Sequence, residues 1–121
     1  MENWIFKILR PPEWVDSQVS SSYAGAPIDV SDGYIHFSTL DQLQETANRH
    51  FSAEQAVYVV AFSVTAWTHS LKWEPSRGGQ LFPHLYEPLD ITLAAKNWML
   101  EKKPDGVFDI SVVTLWAQSH D

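Results

Sequence analysis

The strongest constraint on the fold is a nearly continuous apolar run at 56–64, Ala-Val-Tyr-Val-Val-Ala-Phe-Ser-Val. Residues that favour strands dominate this run, and it contains neither glycine nor proline. A helix needs about 20 residues to cross a bilayer, and this run is far shorter. Because its residues are apolar without strict alternation, we predict a central β-strand that is covered on both faces.

A strand and a short helix are predicted before this run. Residues 4–9 alternate large apolar and other side chains, which favours a first strand. The Pro11-Pro12 pair stops that strand, because proline donates no backbone hydrogen bond. Pro12 suits the first turn of a helix, and Glu13 suits the positive end of the helix dipole. We therefore predict a helix at 12–19.

The other segments are predicted from turn residues and local composition. Residues 20–30 contain three consecutive serines, a glycine and a proline, which is typical of an irregular connection. The segment 90–100 is ambiguous between helix and strand, and we favour strand. A turn at 102–106 then leads into a last predicted strand at 107–116.

A helix is predicted directly after Thr39. Leu40, Leu43 and Ala47 follow at helical spacing, and Gln42 stands three residues after Thr39, as in a capping box. The free N–H groups and the positive dipole end of such a helix favour an anion. We therefore expect an anionic ligand group near the segment that precedes Thr39.

That preceding segment, Asp-Gly-Tyr-Ile-His-Phe-Ser-Thr at 32–39, contains the first candidate site residues. The Asp-Gly pair favours a turn, and the residues that follow favour a strand. Side chains alternate along a strand, so Tyr34, His36 and Ser38 share one face. A phenol, an imidazole and a hydroxyl on one face are unusual for a core. A single histidine on an apolar strand is nevertheless as often structural as functional.

A second cluster of candidate site residues lies further along the chain. Trp73 and Glu74 precede a loop at 75–80 that carries Arg77 at its tip, and an extended His-Leu-Tyr segment follows at 84–86. Loops rarely need such polar aromatic and charged groups for folding, so the cluster favours a site, although Glu74 is as often a solvated carboxylate and Trp73 more often a core anchor.

Together these patterns predict one α+β domain over residues 1–121. We expect a mostly antiparallel, split β-sheet with two or three short helices. The sequence contains no cysteine, which excludes disulfides, thiolate metal ligands and a cysteine nucleophile.

The net charge of −7 opposes general binding to nucleic acid, because a phosphate backbone attracts Lys and Arg. Residues 1–10 lack the basic leader and long apolar run of a signal peptide, and no later stretch approaches a membrane span. We therefore expect a cytoplasmic protein without a membrane partner.

Four sequence blocks resemble the bacterial domain of unknown function 952 family across nearly the full length of the chain. They are Ile-Phe-Lys-Ile at 5–8 with the following Trp14, the segment 32–39, Leu-Lys-Trp-Glu at 71–74 and Phe-Pro-His-Leu-Tyr at 82–86. That family resembles the ADP-ribosyltransferase-like fold and, within it, the RNA 2′-phosphotransferases that use NAD. The resemblance implies an NAD pocket, with His36 and Ser38 facing it.

If NAD binds, the residues fit particular roles. The expected catalytic residues are His36, which would bind a ribose hydroxyl, and Glu74, which would stabilise the cationic transition state or act as a general base. A small-molecule ligand, most simply a nucleotide, is the expected partner. The expected cofactor-binding residues are Tyr34, Ser38, Thr39, Trp73, Arg77, His84 and Tyr86.

Two other interpretations stay open at this stage. The same cleft would serve a non-catalytic module that binds a nucleotide or another small ligand, since the chain has no P-loop and no Gly-x-Gly-x-x-Gly motif. A lesser alternative makes His36, Glu74 and His84 the ligands of a divalent metal.

Overall fold

A computed structural model describes residues 3–120 of the chain, except for the side chain of Arg77. Its α-helices are α1 (Pro11–Ser20), α2 (Pro27–Asp32), α3 (Leu40–His50) and α4 (Ser111–Ser119). Its strands are β1 (Trp4–Leu9), β2 (Ser22–Tyr23), β3 (Ile35–His36), β4 (Ala56–Ser63), β5 (Leu71–Pro75), β6 (Leu81–Leu85), β7 (Leu89–Asp90) and β8 (Lys96–Glu101).

The strands form three antiparallel sheets. One sheet has the order β1-β4-β8, a second pairs β2 with β7, and a third has the order β3-β6-β5. The split, antiparallel arrangement expected from the sequence is therefore confirmed. In the first sheet, β4 pairs with β1 along one edge and with β8 along the other. Its central position agrees with the apolar run that predicts it.

Two hydrophobic cores lie on opposite faces of the β1-β4-β8 sheet. Phe6 and Ile8 point into one core, which α3 and α4 cover, while Ile5 and Leu9 point into the other, which includes residues of β3 and β6. This division follows from the two-residue period of a strand. Burial of β4 on both faces is therefore confirmed.

The first and third sheets are joined by backbone hydrogen bonds. The Phe6 N–H donates to the Ser38 carbonyl at 2.8 Å, and the Ser38 N–H donates to the Phe6 carbonyl at 2.9 Å. This single antiparallel bridge holds the segment after β3 against the edge of β1. It fixes His36 close to β1.

The helix predicted after Thr39 is confirmed. The Thr39 N–H donates to Gln42 Oε1 at 3.0 Å, as the capping-box pattern predicts. Leu43 and Ala47 of α3 are buried in the core, while Asp41 is exposed. The cap and the apolar spacing together set the start and the orientation of this helix.

The prediction of an irregular connection at 20–30 is wrong, because this segment contains β2 and most of α2. Pro27 occupies the first turn of α2, and Asp29 Oδ2 accepts a hydrogen bond from the Ala26 N–H at 2.8 Å. Gly33 ends the helix in the left-handed conformation, with φ +87°. An early proline, an acidic cap and a terminal glycine are ordinary helix signals. Here they lie so close together in the sequence that the helix was not recognised.

The predicted last strand at 107–116 is also wrong, because α4 occupies Ser111–Ser119. β-branched residues at 112–114 favour a strand locally. Val113 and Ala117, four residues apart, pack into the core and stabilise the helix instead. The number of helices is accordingly four in residues 3–120, against the two or three expected. The strand favoured at 90–100 is confirmed in part by β8, which a 3₁₀ turn at Ile91–Leu93 precedes.

Within the described residues, no helix is long and apolar enough to cross a membrane.

We predict that Gly25→Ala destabilises the fold more than Gly106→Ala does. Both glycines have positive φ, which costs about 1–2 kcal/mol for a residue with a Cβ atom. A Cβ atom at Gly25 would also lie 2.5 Å from Asp29 Cβ, whereas nothing lies within 4 Å at Gly106. The clash should add about 1–3 kcal/mol to the loss of unfolding free energy, measured by urea unfolding. Equal losses in the two variants would contradict this expectation.

Candidate functional site

The carboxylate of Asp29 is the centre of a buried hydrogen-bond network. Its Oδ2 accepts from the Ala26 N–H at 2.8 Å and from Lys7 Nζ at 2.9 Å. Its Oδ1 accepts from the His36 N–H at 3.0 Å and faces His36 Nδ1 at 2.6 Å. Asp29 is only 1% exposed, so these partners replace the water that a carboxylate needs.

The charge of Asp29 is retained in spite of its burial. Burial by itself raises the pKa of this carboxyl, but the hydrogen bond from His36 and the charge of Lys7 outweigh it. The pKa of Asp29 is therefore held well below its usual range. Burial also lowers the pKa of Lys7, and the charge of Asp29 opposes that change. Lys7 Nζ donates in addition to the His36 carbonyl at 2.9 Å, which joins β1 to β3.

His36 lies between two carboxylates. Its Nδ1 faces Asp29, and its Nε2 lies 2.9 Å from Oδ2 of the half-exposed Asp32. Ionised carboxylates only accept hydrogen bonds, so both contacts are satisfied when both ring nitrogens carry a proton. The two contacts fix the orientation of the His36 ring.

His84 lies beside His36, directly opposite it in the β3–β6 register. The ring centroids of the two histidines are 5.5 Å apart. His84 is buried, and its Nδ1 lies 2.8 Å from Glu74 Oε1. The Tyr86 hydroxyl donates to the same Glu74 oxygen at 2.7 Å. Each histidine is thus held at Nδ1 by a carboxylate.

The hydrogen bonds at Glu74 change the acidity of both partners. The bond from Tyr86, and next the bond from His84, lowers the pKa of Glu74. The same bond to Glu74 raises the pKa of Tyr86 to about 12. Glu74 is therefore a carboxylate at neutral pH that accepts from two donors.

Tyr34 covers the two histidines. Its ring stacks on His84 with centroids 4.0 Å apart and contacts His36 at 4.7 Å and Tyr86 at 5.2 Å. Burial, and then the charges of Asp32 and Glu74, raise the pKa of Tyr34. Four aromatic or imidazole rings therefore form one continuous cluster, whose members are Tyr34, His36, His84 and Tyr86.

A cavity of about 510 Å³ lies beside this cluster, with both histidines in its wall. Much of the remaining wall is apolar, and basic side chains from β1 and α3 line it as well. A concave apolar site with a few polar groups is typical of small-molecule binding. The wall includes His36, Ser38, His84, Arg10, Arg49 and His50.

Six of the predicted site residues lie at the cavity or in contact with its histidines. His36, Ser38 and His84 line the cavity. Tyr34, Glu74 and Tyr86 contact these histidines. Ser38 is buried, and its Oγ donates to Thr46 Oγ1 at 3.2 Å.

The other predicted residues lie elsewhere. Thr39 is buried in the cap of α3. Trp73 pairs with Pro83 and therefore lies on the opposite face of β5 from Glu74. The Arg77 side chain lies outside the described part of the chain.

Sequence reasoning missed Lys7, Asp29 and Asp32 as parts of the site. Asp29 had a usable signal, because an acidic residue two positions after Pro27 and four before Gly33 fits a short capped helix. Nothing local identifies Lys7, which reads as one residue of an alternating strand. Arg49 and His50 were also missed, because contact with the cavity depends on how α3 packs.

The metal-binding alternative gains no support. Among the described residues, no group of three or more His, Cys, Asp or Glu side chains has the geometry to hold a metal ion. Each histidine instead bonds a carboxylate through Nδ1.

The fold and the site define a small α+β domain in which two carboxylate-bound histidines line an apolar cavity. The chain belongs to the DUF952 family, described as a protein of unknown function, whose model matches residues 8–96. A search among curated protein sequences finds no match.

Solved structures of a relative share the fold. The crystal structure of protein CC0527 from Caulobacter crescentus is 35% identical, with a TM-score of 0.88 over 93% of this chain and 98% of that one. The solution NMR structure of CC0527 gives a TM-score of 0.81 over 91% of this chain and 95% of that one, again at 35% identity.

We predict that Lys7→Met destabilises the protein by about 3–5 kcal/mol, because it leaves Asp29 buried without its cationic partner. Lys96→Met, at an exposed position of β8, should change the unfolding free energy by less than about 0.5 kcal/mol. Urea unfolding followed by tryptophan fluorescence measures both. A loss at Lys7 as small as that at Lys96 would mean that the buried pair contributes little.

The bond between Tyr86 and Glu74 predicts a second measurable effect. Glu74→Gln removes the negative charge that favours the protonated phenol, so the pKa of Tyr86 should fall from about 12 toward its usual value of about 10. A pH titration of the Tyr86 Cζ resonance by NMR, in the wild type and in Glu74→Gln, follows this change. If the pKa of Tyr86 is the same in Glu74→Gln as in the wild type, the hydrogen bond to Glu74 is not what raises it.

Proposed function

We propose that the protein binds NAD in the cavity beside His36 and His84 and transfers its ADP-ribose group to an acceptor. The observation that carries this proposal is the pair of histidines, each held by a carboxylate, in the wall of one 510 Å³ cavity. Fixed orientation of such groups is what a catalytic site requires. The resemblance of the family to ADP-ribosyltransferases supplies the choice of cofactor.

The lining of the cavity suits the parts of a dinucleotide. Phe51 and Phe82 offer apolar surface to a nicotinamide or adenine ring. Arg10 and Arg49 line the same cavity and suit the diphosphate. Arg10 is shared with Glu13 and Glu54 at 3.6 and 3.3 Å, so the diphosphate would compete with these carboxylates.

The two residues expected to be catalytic take definite parts in this proposal. A ribose hydroxyl would replace Asp32 as the hydrogen-bond partner of His36 Nε2, since the Asp32 side chain is 40% exposed and lies at the end of α2. Glu74 would supply negative charge through His84, which it contacts at 2.8 Å from outside the cavity wall, as nicotinamide leaves. Both contributions act on the oxocarbenium-like transition state.

We predict that NAD binds the wild-type protein and that His36→Ala weakens binding at least tenfold. His69→Ala is the matched control, because His69 is an exposed histidine on the loop before β5. Calorimetric titrations with NAD, ADP-ribose and nicotinamide measure the three affinities. Absence of binding by the wild type to all three ligands would overturn the proposal.

A second candidate function is a non-catalytic module that binds a nucleotide or another small ligand. The observation that favours it is the position of Glu74, which contacts His84 from outside the set of residues that line the cavity. His36 is also held by Asp29, Lys7 and Asp32 in a network that joins β1, α2 and β3. NAD binding without release of nicotinamide would favour the module over the enzyme.

A further inference from the structure

The two histidines of the cavity differ in the hydrogen-bond partners of their ring nitrogens. Glu74 is a carboxylate, and its Oε1 already accepts from the Tyr86 hydroxyl. His84 Nδ1 must therefore donate to Glu74, which leaves the lone pair on Nε2 in the neutral ring. Among the side chains that the structure describes, His84 Nε2 has no hydrogen-bond partner. The neutral ring would thus present a proton acceptor.

His36 is the opposite case. Both of its ring nitrogens face carboxylates, Asp29 at Nδ1 and Asp32 at Nε2, so neither is open to a ligand while Asp32 stays in place. The two rings lie 5.5 Å apart and line the same cavity. A ring with one nitrogen open to the cavity and a ring with both nitrogens engaged therefore lie side by side, and their roles are not interchangeable.

We propose that His84 is the general base of this site and that Glu74 is its positioning residue. The inference rests on the proposed function, and it assigns the role of general base to His84 instead of Glu74. The acceptor would be a hydroxyl group, of water, a sugar or another alcohol. As the bond from ribose C1′ to nicotinamide breaks, its electron pair leaves with nicotinamide, the acceptor oxygen bonds to C1′, and the hydroxyl proton passes to His84 Nε2.

The geometry favours His84 over Glu74 in this role. His84 is in the wall of the cavity, whereas Glu74 lies behind it and reaches the cavity through the imidazole. One Glu74 oxygen already accepts two hydrogen bonds, which reduces its basicity. This is the arrangement in which a carboxylate sets the tautomer of a histidine and stabilises its protonated form.

The charged and titratable groups around His84 come from two neighbouring strands and the segment after β6. Glu74 and Lys72 lie on β5, with Lys72 directly opposite His84 in the register. On the other side are Tyr34 and His36, and Tyr86 follows two residues after His84. Any pH dependence of the site has to be assigned among these groups by substitution.

Long-range ¹H–¹⁵N NMR of the wild-type protein tests the assignment without a substrate. In the neutral form of the ring we expect His84 to carry its proton on Nδ1, with Nε2 unprotonated. Glu74→Gln should increase the Nε2–H tautomer of His84, whereas Tyr86→Phe, which keeps the carboxylate, should not. A wild-type His84 protonated on Nε2 would overturn the proposal.

Nicotinamide release from NAD tests the reaction, with His84→Gln, Glu74→Gln and the control His69→Gln. We expect His84→Gln to lower the rate about 10²–10⁴-fold while NAD affinity changes little. Glu74→Gln should lower the rate less and shift its pH profile. A His84→Gln rate near that of the control would overturn His84 as the base.

The two proposals fail in different ways. If the wild type neither binds nor cleaves NAD, the proposed function fails, while the NMR result still decides whether His84 has the basic tautomer. If NAD is cleaved and the tautomer is reversed, the proposed function stands and the base is another group.

Discussion

The buried carboxylate of Asp29 is the interaction on which the rest of the site depends. It receives hydrogen bonds from β1 through Lys7, from the start of α2 through Ala26, and from β3 through His36. Without Asp29 the cation of Lys7 would be buried alone, the helix would lose its cap, and His36 would lose its orientation. One side chain therefore holds together the three elements that bring the first histidine to the cavity.

A buried ionic network of this kind is weak evidence for stability but good evidence for a defined geometry. Desolvation of Lys7 and Asp29 opposes folding, and the mutual attraction of the two charges offsets it only while every partner is in place. Gly25 extends the same constraint, since its missing Cβ atom allows Asp29 to approach the backbone. The second histidine is also buried, but the carboxylate that holds it, Glu74, is partly exposed.

Particular residues show how far local reasoning reaches. The α3 cap was predictable because Thr39 and Gln42 interact within one turn, and β4 was predictable because its composition reflects burial on both faces. The helix α4 was not, because the β-branched residues at 112–114 favour a strand locally and only packing of Val113 and Ala117 decides for the helix. The site residues divide in the same way. His36 and Ser38 were identified from the alternation of side chains along a strand. Lys7 and Asp29 are 22 residues apart in the sequence and meet only in the folded chain.

The sequence by itself determined the antiparallel α+β class, the central strand and the cap of α3. It also identified His36, Glu74, His84 and Tyr86 as candidate site residues. All of these depend on composition, period and neighbours in the chain. Only the tertiary structure decided that His36 and His84 lie side by side, that Asp29 orients one and Glu74 the other, and that Trp73 lies on the opposite face of its strand from Glu74. The physical reason is that strand register and helix packing, which no local pattern encodes, determine which distant side chains meet.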